Sequence, residues 1–195
     1  DRDVDARERQ QLMAWYRRCL QKHLFVNGEE KTLLSKNASF AGMAGSLLEA
    51  FPDARLVLCE RDALHVIASQ FRSIEPGCRT FGYSANDENF RPRLLDCLAF
   101  YYENLERVKD TLPENRQVRV ALWDLSRNTR EVFDTIAQRF DRVLAPETKR
   151  AIAAYEGRSA PPGPARSPNL DRWGINTGDA RQRFSAWRHQ EELRI

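Results

Sequence analysis

Apolar positions along this chain fall into a helical rhythm in some stretches and into short continuous runs in others. Residues 5 to 24 carry Leu12, Trp15, Tyr16, Cys19, Leu20 and Leu24 at intervals of three and four, which is one face of a helix. KTLLSKN is a short apolar run that reads as a strand ending at Ser35-Lys36, and AGMAGSLLEAF reads as a helix closed by the turn formers of FPDA. ARLVLCE is the best strand, a continuous apolar run of the kind found in a parallel strand buried on both faces. DALHVIASQFRSI follows as a helix, with Asp62 placed to cap its N-terminus. EPGCRTFGYSAND, residues 75 to 87, is rich in turn formers and reads as a long surface loop.

Further on, Leu94, Leu98, Tyr101, Leu105 and Val108 mark a helix over residues 91 to 111. QVRVALWDL is a third strand, and TREVFDTIAQRF a helix carrying Val132, Phe133, Ile136 and Phe140. A helix near residues 146 to 156 precedes the Pro-rich stretch GRSAPPGPARSPN, and a last helix near residues 178 to 192 carries Phe184 and Trp187. There is no internal repeat. Strands alternating with helices predict an α/β layer fold with a mostly parallel sheet. Three strands are few for such a sheet, so either others escape this pattern or the chain is part of a larger domain.

Composition narrows the classes. At 195 residues, 42% hydrophobic and 30% charged, the chain has the make-up of one globular domain rather than of a disordered or membrane protein. A net charge of +3 permits an anionic ligand but lacks the concentrated basic stripe of a nucleic-acid binder. No apolar run approaches the roughly 20 residues that span a bilayer, and the first residues lack a signal-peptide core. Cys19, Cys59, Cys78 and Cys97 lie far apart with no CxxC pair, so zinc and redox motifs are unsupported. Cys19 and Cys59 fall in apolar patterns and read as buried free thiols, which points to a reducing, cytoplasmic setting.

The chemistry concentrates where LVLCERDALHVIASQFRSI turns from strand to helix. Ligands of open parallel sheets bind beyond the carboxyl ends of the strands, where helix N-termini direct free N–H groups outward. Arg61 stands at such an end, and its planar fork can hold two oxygens of one phosphate. Ser69 follows eight residues later, a little over two helical turns, on the same face. On spacing alone the same residues also read as a surface Arg–Asp pair and a small serine packed against the sheet.

From LLSKNASF through LLEAFPDARLVLCERDALHVIAS the chain resembles the sulfotransferases that use 3′-phosphoadenosine 5′-phosphosulfate. The shared pattern is a strand ending in Lys, a helix, FPDA, an apolar strand, then Arg-Asp with Ser eight residues on. VRVALWDLSRNTREVFDTIAQRF looks like that family's strand-Tyr-Glu-Asp-Leu segment, and NLDRWGINTGDARQRFSAW like its C-terminal segment, so the resemblance covers about residues 8 to 190. It implies a P-loop-NTPase-like three-layer α/β/α fold and 3′-phosphate binding by Arg61 and Ser69. LLSKNASFAG is similar to the NKDPFAL segment of protein-tyrosine sulfotransferases, whose matching lysine lies against the transferring sulfuryl group. That implies a catalytic role for Lys36, and a fixed ammonium does suit the charge that builds on the leaving phosphate's bridging oxygen. A solvated lysine at a strand end is the plain alternative. EGRSAPPGPARSPNLDRW is similar to the loop laid over the cofactor, which brings Arg158 and Ser159 into the set, although the spacing differs by about one residue.

Three departures stand out. The family's opening loop, G-x-x-R-S-G-T-T, whose N–H groups cradle the 5′-phosphosulfate, has no counterpart here. GMAGS, Gly42 to Ser46, is the nearest glycine pair and reads as small residues for helix packing. The histidine that many relatives carry after the lysine segment is replaced by Ser39 and Phe40; His65, a lone histidine on a helix, reads as structural, and His23 and His189 have no motif context. The tyrosine of Tyr-Glu-Asp-Leu is Leu122, with Trp123 beside it as an aromatic neighbour for an adenine.

The expectation is therefore one sulfotransferase-like domain over residues 1–195, the C-terminal portion of a full domain. It would move a sulfuryl group from 3′-phosphoadenosine 5′-phosphosulfate to an acceptor hydroxyl, with no metal, no nucleic acid and no membrane segment. Two other readings stay open: a non-catalytic module binding the donor or its product 3′-phosphoadenosine 5′-phosphate, and a nucleotide kinase of the same superfamily fold, which would need a Walker lysine.

Overall fold

The computed structural model describes residues 1–157 and 168–185. They fall into two compact units, Asp1–Ala54 with Phe100–Thr111, and Arg55–Ala99 with the described residues from Leu112 onward.

The first unit is built on helix α1 (Ala6–Asn27), opened by the Asp5 carboxylate accepting from the Glu8 N–H at 2.9 Å. Gly28 ends it at φ 120°, a value that favours glycine, with its N–H bonded to Leu24 O. Met13 is buried, and Tyr16 meets Phe40 and Phe51 edge-on at 5.7 and 6.0 Å between ring centres. The expected strand at KTLLSKN is not formed. Residues 31–37 run without regular structure and Leu34 is 90% exposed, whereas strand backbone needs a hydrogen-bonding neighbour that this run lacks. A 3₁₀ turn (Ala38–Met43) then leads into α2 (Ala44–Ala50). A Cβ on Gly42 would lie 2.6 Å from Tyr101 Cε1, so this glycine permits close approach of an aromatic ring, as its reading as a packing residue requires.

Strand β1 (Leu56–Glu60) pairs in parallel with β2 (Gln117–Ala121) from Leu56↔Gln117 to Glu60↔Ala121 in the second unit. The described residues thus hold two strands, not three. β1 is not buried on both faces: Val57 and Cys59 are exposed while Leu56, Leu58 and Glu60 are half-buried. A continuous apolar run reports β-propensity as much as burial, and here only one face meets a core. Cys59 is accordingly exposed, Cys19 half-buried, and Cys78 buried.

Helix α3 (Ala63–Thr80) follows β1, and α4 (Phe90–Lys109) contributes its first half to this unit and its second half to the other. β2 leads directly into α5 (Leu122–Arg127), then α6 (Thr129–Arg139), α7 (Pro146–Glu156) and α8 (Thr177–Arg183). Val118 and Val120 of β2 pack against Val132 and Phe140, joined by Leu125 and Ile136. Ile67 and Phe71 of α3 are fully buried, and Phe71 lies 5.7 Å from the buried Trp173 between ring centres.

Much of the expected loop at residues 75 to 87 is instead the end of α3, which continues through Pro76 to Thr80. Proline removes one helical hydrogen bond, a cost that tertiary anchoring offsets here. Phe71 and Cys78 are buried on either side of it, and the Glu75 carboxylate accepts from Arg172 at 2.9 Å. The loop proper starts at Phe81, whose N–H caps the Gly77 and Cys78 carbonyls. Among the described residues no helix is long and apolar enough to cross a membrane.

Truncating Phe71 to Ala removes a fully buried ring, and an unfolding free energy lower by about 3–5 kcal/mol is expected from urea denaturation. Val57→Ala, on the exposed face of β1, is expected to cost about 1 kcal/mol or less.

Candidate functional site

Because β1 and β2 are parallel, both deliver their chains to one edge of the sheet. Glu60 faces Ala121 in the register, so Arg61 and Leu122 are the first residues beyond that edge. Arg61 is exposed there. Asp62 caps α3, its Oδ1 accepting from the His65 N–H at 3.1 Å and lying 2.7 Å from His65 Nδ1. The pair is largely shielded, with 29% of the Asp62 side chain and 19% of His65 exposed. In a neutral imidazole, a carboxylate at Nδ1 favours the tautomer with its proton on that nitrogen.

Ser69 is exposed, while its neighbours Ile67 and Ala68 are buried and do the packing. It is therefore not a small residue wedged against the sheet. Seven residues after Asp62, it lies within about 20° of that residue around the helix and about 10 Å further along the axis. Arg61, the Asp62–His65 pair and Ser69 are thus set out along the start of α3. The sequence marks Asp62 as a cap and His65 as a structural histidine, but not the contact between them. The signal was present in the i, i+3 spacing of cap residue and histidine, which sets the two side chains over the same turn.

Trp123 stands in the first turn of α5, 43% exposed, with the Arg127 guanidinium 3.7 Å from its ring centre. That contact is close enough for a cation–π interaction and occupies one face of the indole. Across the sheet the Arg119 guanidinium donates to the Glu60 carboxylate, both half-buried, so its charge is spent within the fold. Beyond α5, a shallow groove of about 410 Å³ is lined by Arg127, Arg130, Glu131, Asp134 and Glu156 among others. Its charges are mixed, and Arg130 is paired with Glu156 through both its N–H and its guanidinium, so it offers no net anion site.

Lys36 belongs to the other unit. It is exposed, and its backbone is held on both sides: Ser35 Oγ is 2.9 Å from the Tyr16 hydroxyl, and Asn37 caps the following turn through the Ser39 N–H at 2.9 Å. Arg158, Ser159, Trp187 and His189 lie outside the described residues. Among the described residues no group of three His, Cys, Asp or Glu side chains is placed to hold a metal ion.

A family model described as the sulfotransferase family matches residues 2–146. The chain belongs to the sulfotransferase family. Among solved structures it is similar to the sulfotransferase STF9 from Mycobacterium avium, with a TM-score of 0.66 at 16% identity. The alignment covers 80% of this chain and 41% of that one, so the chain spans about two fifths of that protein's length. At such identity the likeness is one of fold, and it bears out the expected α/β, P-loop-like class, realised here as a mostly helical chain around a small parallel sheet. No curated protein matches the sequence.

Nitrogen-15 NMR of the histidines is expected to find neutral His65 protonated on Nδ1, and Asp62→Ala to shift it towards the Nε2–H form. The same variant loses its helix cap and is expected to be about 1 kcal/mol less stable in denaturant unfolding.

Proposed function

We propose that this chain carries the 3′-phosphate-binding part of a sulfotransferase whose donor is 3′-phosphoadenosine 5′-phosphosulfate and whose acceptor is a hydroxyl. The supporting observation is the placement of Arg61 and Ser69: both are exposed, Arg61 just past the carboxyl edge of the parallel pair and Ser69 about two turns into the helix that follows, in a chain whose family transfers sulfuryl groups. Arg61 would take two phosphate oxygens through its fork, and Ser69 would donate its hydroxyl to the same group. Trp123 would meet the adenine with the ring face not covered by Arg127.

The residues fit the 3′-phosphate end of that donor. For its 5′ end the chain has no G-x-x-R-S-G-T-T segment, and the two glycines of GMAGS that stand nearest to one are set against Tyr101 and Asp1. When bound, the donor would supply the sulfuryl group: its S–O bond to the bridging phosphate oxygen would break as the acceptor oxygen bonds to sulfur and gives up its proton to solvent. Lys36 would hold its ammonium near the bridging oxygen and stabilise the charge developing there. Arg158 and Ser159, which lie outside the described residues, would add contacts to the donor, in keeping with the resemblance of their segment.

Calorimetry with 3′-phosphoadenosine 5′-phosphate and adenosine 5′-phosphate tests the clamp. Arg61→Ala is expected to weaken the first by about 1.5–3 kcal/mol and the second far less, because a charge-assisted pair is lost only at the 3′-phosphate. Ser69→Ala should lose about 1 kcal/mol of the same selectivity, since a neutral hydroxyl is the weaker donor. Equal losses for both nucleotides would remove the assignment.

Lys36→Ala, assayed in a form of the protein that transfers sulfate, is expected to slow single-turnover transfer at saturating donor by about 10²–10³ while changing donor affinity little. Lys36→Arg should rescue incompletely, because a broad planar charge replaces a point charge. A variant that turns over normally once saturated would leave a non-catalytic nucleotide-binding module as the better reading.

A further inference from the structure

Helix α1 has a second apolar face besides the one it packs into its own unit. Met13 is buried and Tyr16, Leu20 and Leu24 are half-buried on the inward side. On the outward side Leu12 is 44% exposed, Trp15 57% and Val26 78%, with the half-buried Cys19 between them. At 100° per residue, Glu8, Leu12, Trp15, Cys19, Lys22 and Val26 fall within an arc of about 80°. Their spacing of four, three, four, three and four is the one with which two helices lie side by side.

The charges on this stripe indicate what covers it. Glu8 stands seven residues before Trp15 and Lys22 seven after, and both are exposed. Two copies of α1 laid antiparallel about Trp15 therefore set Trp15 on Trp15 and each Glu8 against the Lys22 of the other copy. Such an arrangement is isologous, the same patch meeting itself across a twofold axis. Leu12 then lies beside Arg18 of the other copy, whose aliphatic stem can cover it. Parallel, in-register pairing would instead stack Glu8 on Glu8 and Lys22 on Lys22. We propose that this face is the interface of a homodimer, formed by antiparallel pairing of α1 with α1 of a second copy.

Sedimentation equilibrium of the 195-residue chain across the micromolar range is the test. A reversible monomer–dimer equilibrium is expected, with Trp15→Glu monomeric. Glu8→Lys and Lys22→Glu should each weaken the dimer by roughly tenfold, since two ion pairs become two repulsions. Combining the two reversals should restore most of the affinity. These side chains are exposed, so the variants are expected to fold, which far-UV circular dichroism checks. Antiparallel pairing keeps the two Cys19 residues about 12 Å apart along the axis, beyond the ~7 Å reach of a disulfide, so mild oxidation should leave them uncrosslinked. A chain that stays monomeric, a dimer indifferent to Trp15→Glu, charge reversals that do not rescue each other, or a Cys19–Cys19 disulfide would each overturn the proposal.

Discussion

Parallel pairing of β1 with β2 is the constraint on which the candidate site rests. An antiparallel pair would send the two chains off opposite edges of the sheet, whereas the parallel ladder delivers Arg61 and Leu122 to the same one. Register matters as much as direction. A slip of one residue would turn Val118 and Val120 away from Val132 and Phe140 and part Arg119 from Glu60. Two short strands are marginal by themselves, so the ladder depends on the helices packed against it. α6 covers the valines of β2, and α3 is anchored through Phe71 against Trp173.

The long helices were legible because their apolar residues repeat with a helical period that needs no knowledge of neighbours. α1, α4, α6 and α7 lie where they were expected, and α3 begins where it was expected but runs further. The errors share a cause, which is information held elsewhere in the chain. Whether residues 31–37 form a strand depends on a partner strand, and no local pattern reports one. Whether Pro76 ends α3 depends on Cys78, Phe71 and Arg172, the last of which is remote in sequence. Whether Cys59 is buried depends on what covers the second face of β1, to which the run LVLCE is silent.

The candidate site was legible to a different degree at each residue. Position at the end of an apolar strand marked Arg61, and its exposure accords with that reading. Spacing alone left Ser69 between packing and binding; it is exposed while Ile67 and Ala68 beside it are buried, which removes the packing alternative only. His65 was legible as a structural histidine, but its partner was not. The Asp62 carboxylate draws the ring back over the first turn, a local side-chain contact that periodicity does not encode.

The exposure of Arg61 argues in favour of a ligand role. A guanidinium in water gains little from a surface partner, because solvent screens the attraction and side-chain entropy opposes it. At an effective dielectric of about 20 the same charge pair is worth about four times what it is in bulk water, so a bound nucleotide that excludes water would itself strengthen the contact. Arg119 shows the other use of the same residue type: half-buried and paired with Glu60, it serves the fold and is unavailable to a ligand. The difference between the two arginines lies in position relative to the ladder, one within it and one just past its edge. The same logic separates Arg61 from Lys36. A planar fork suits an anion present before and after transfer, whereas a compact ammonium suits charge that exists fully only as the bond breaks. On the proposed reading, affinity for the 3′-phosphate and acceleration of transfer would be carried by different residues, and a chain could retain the first without the second.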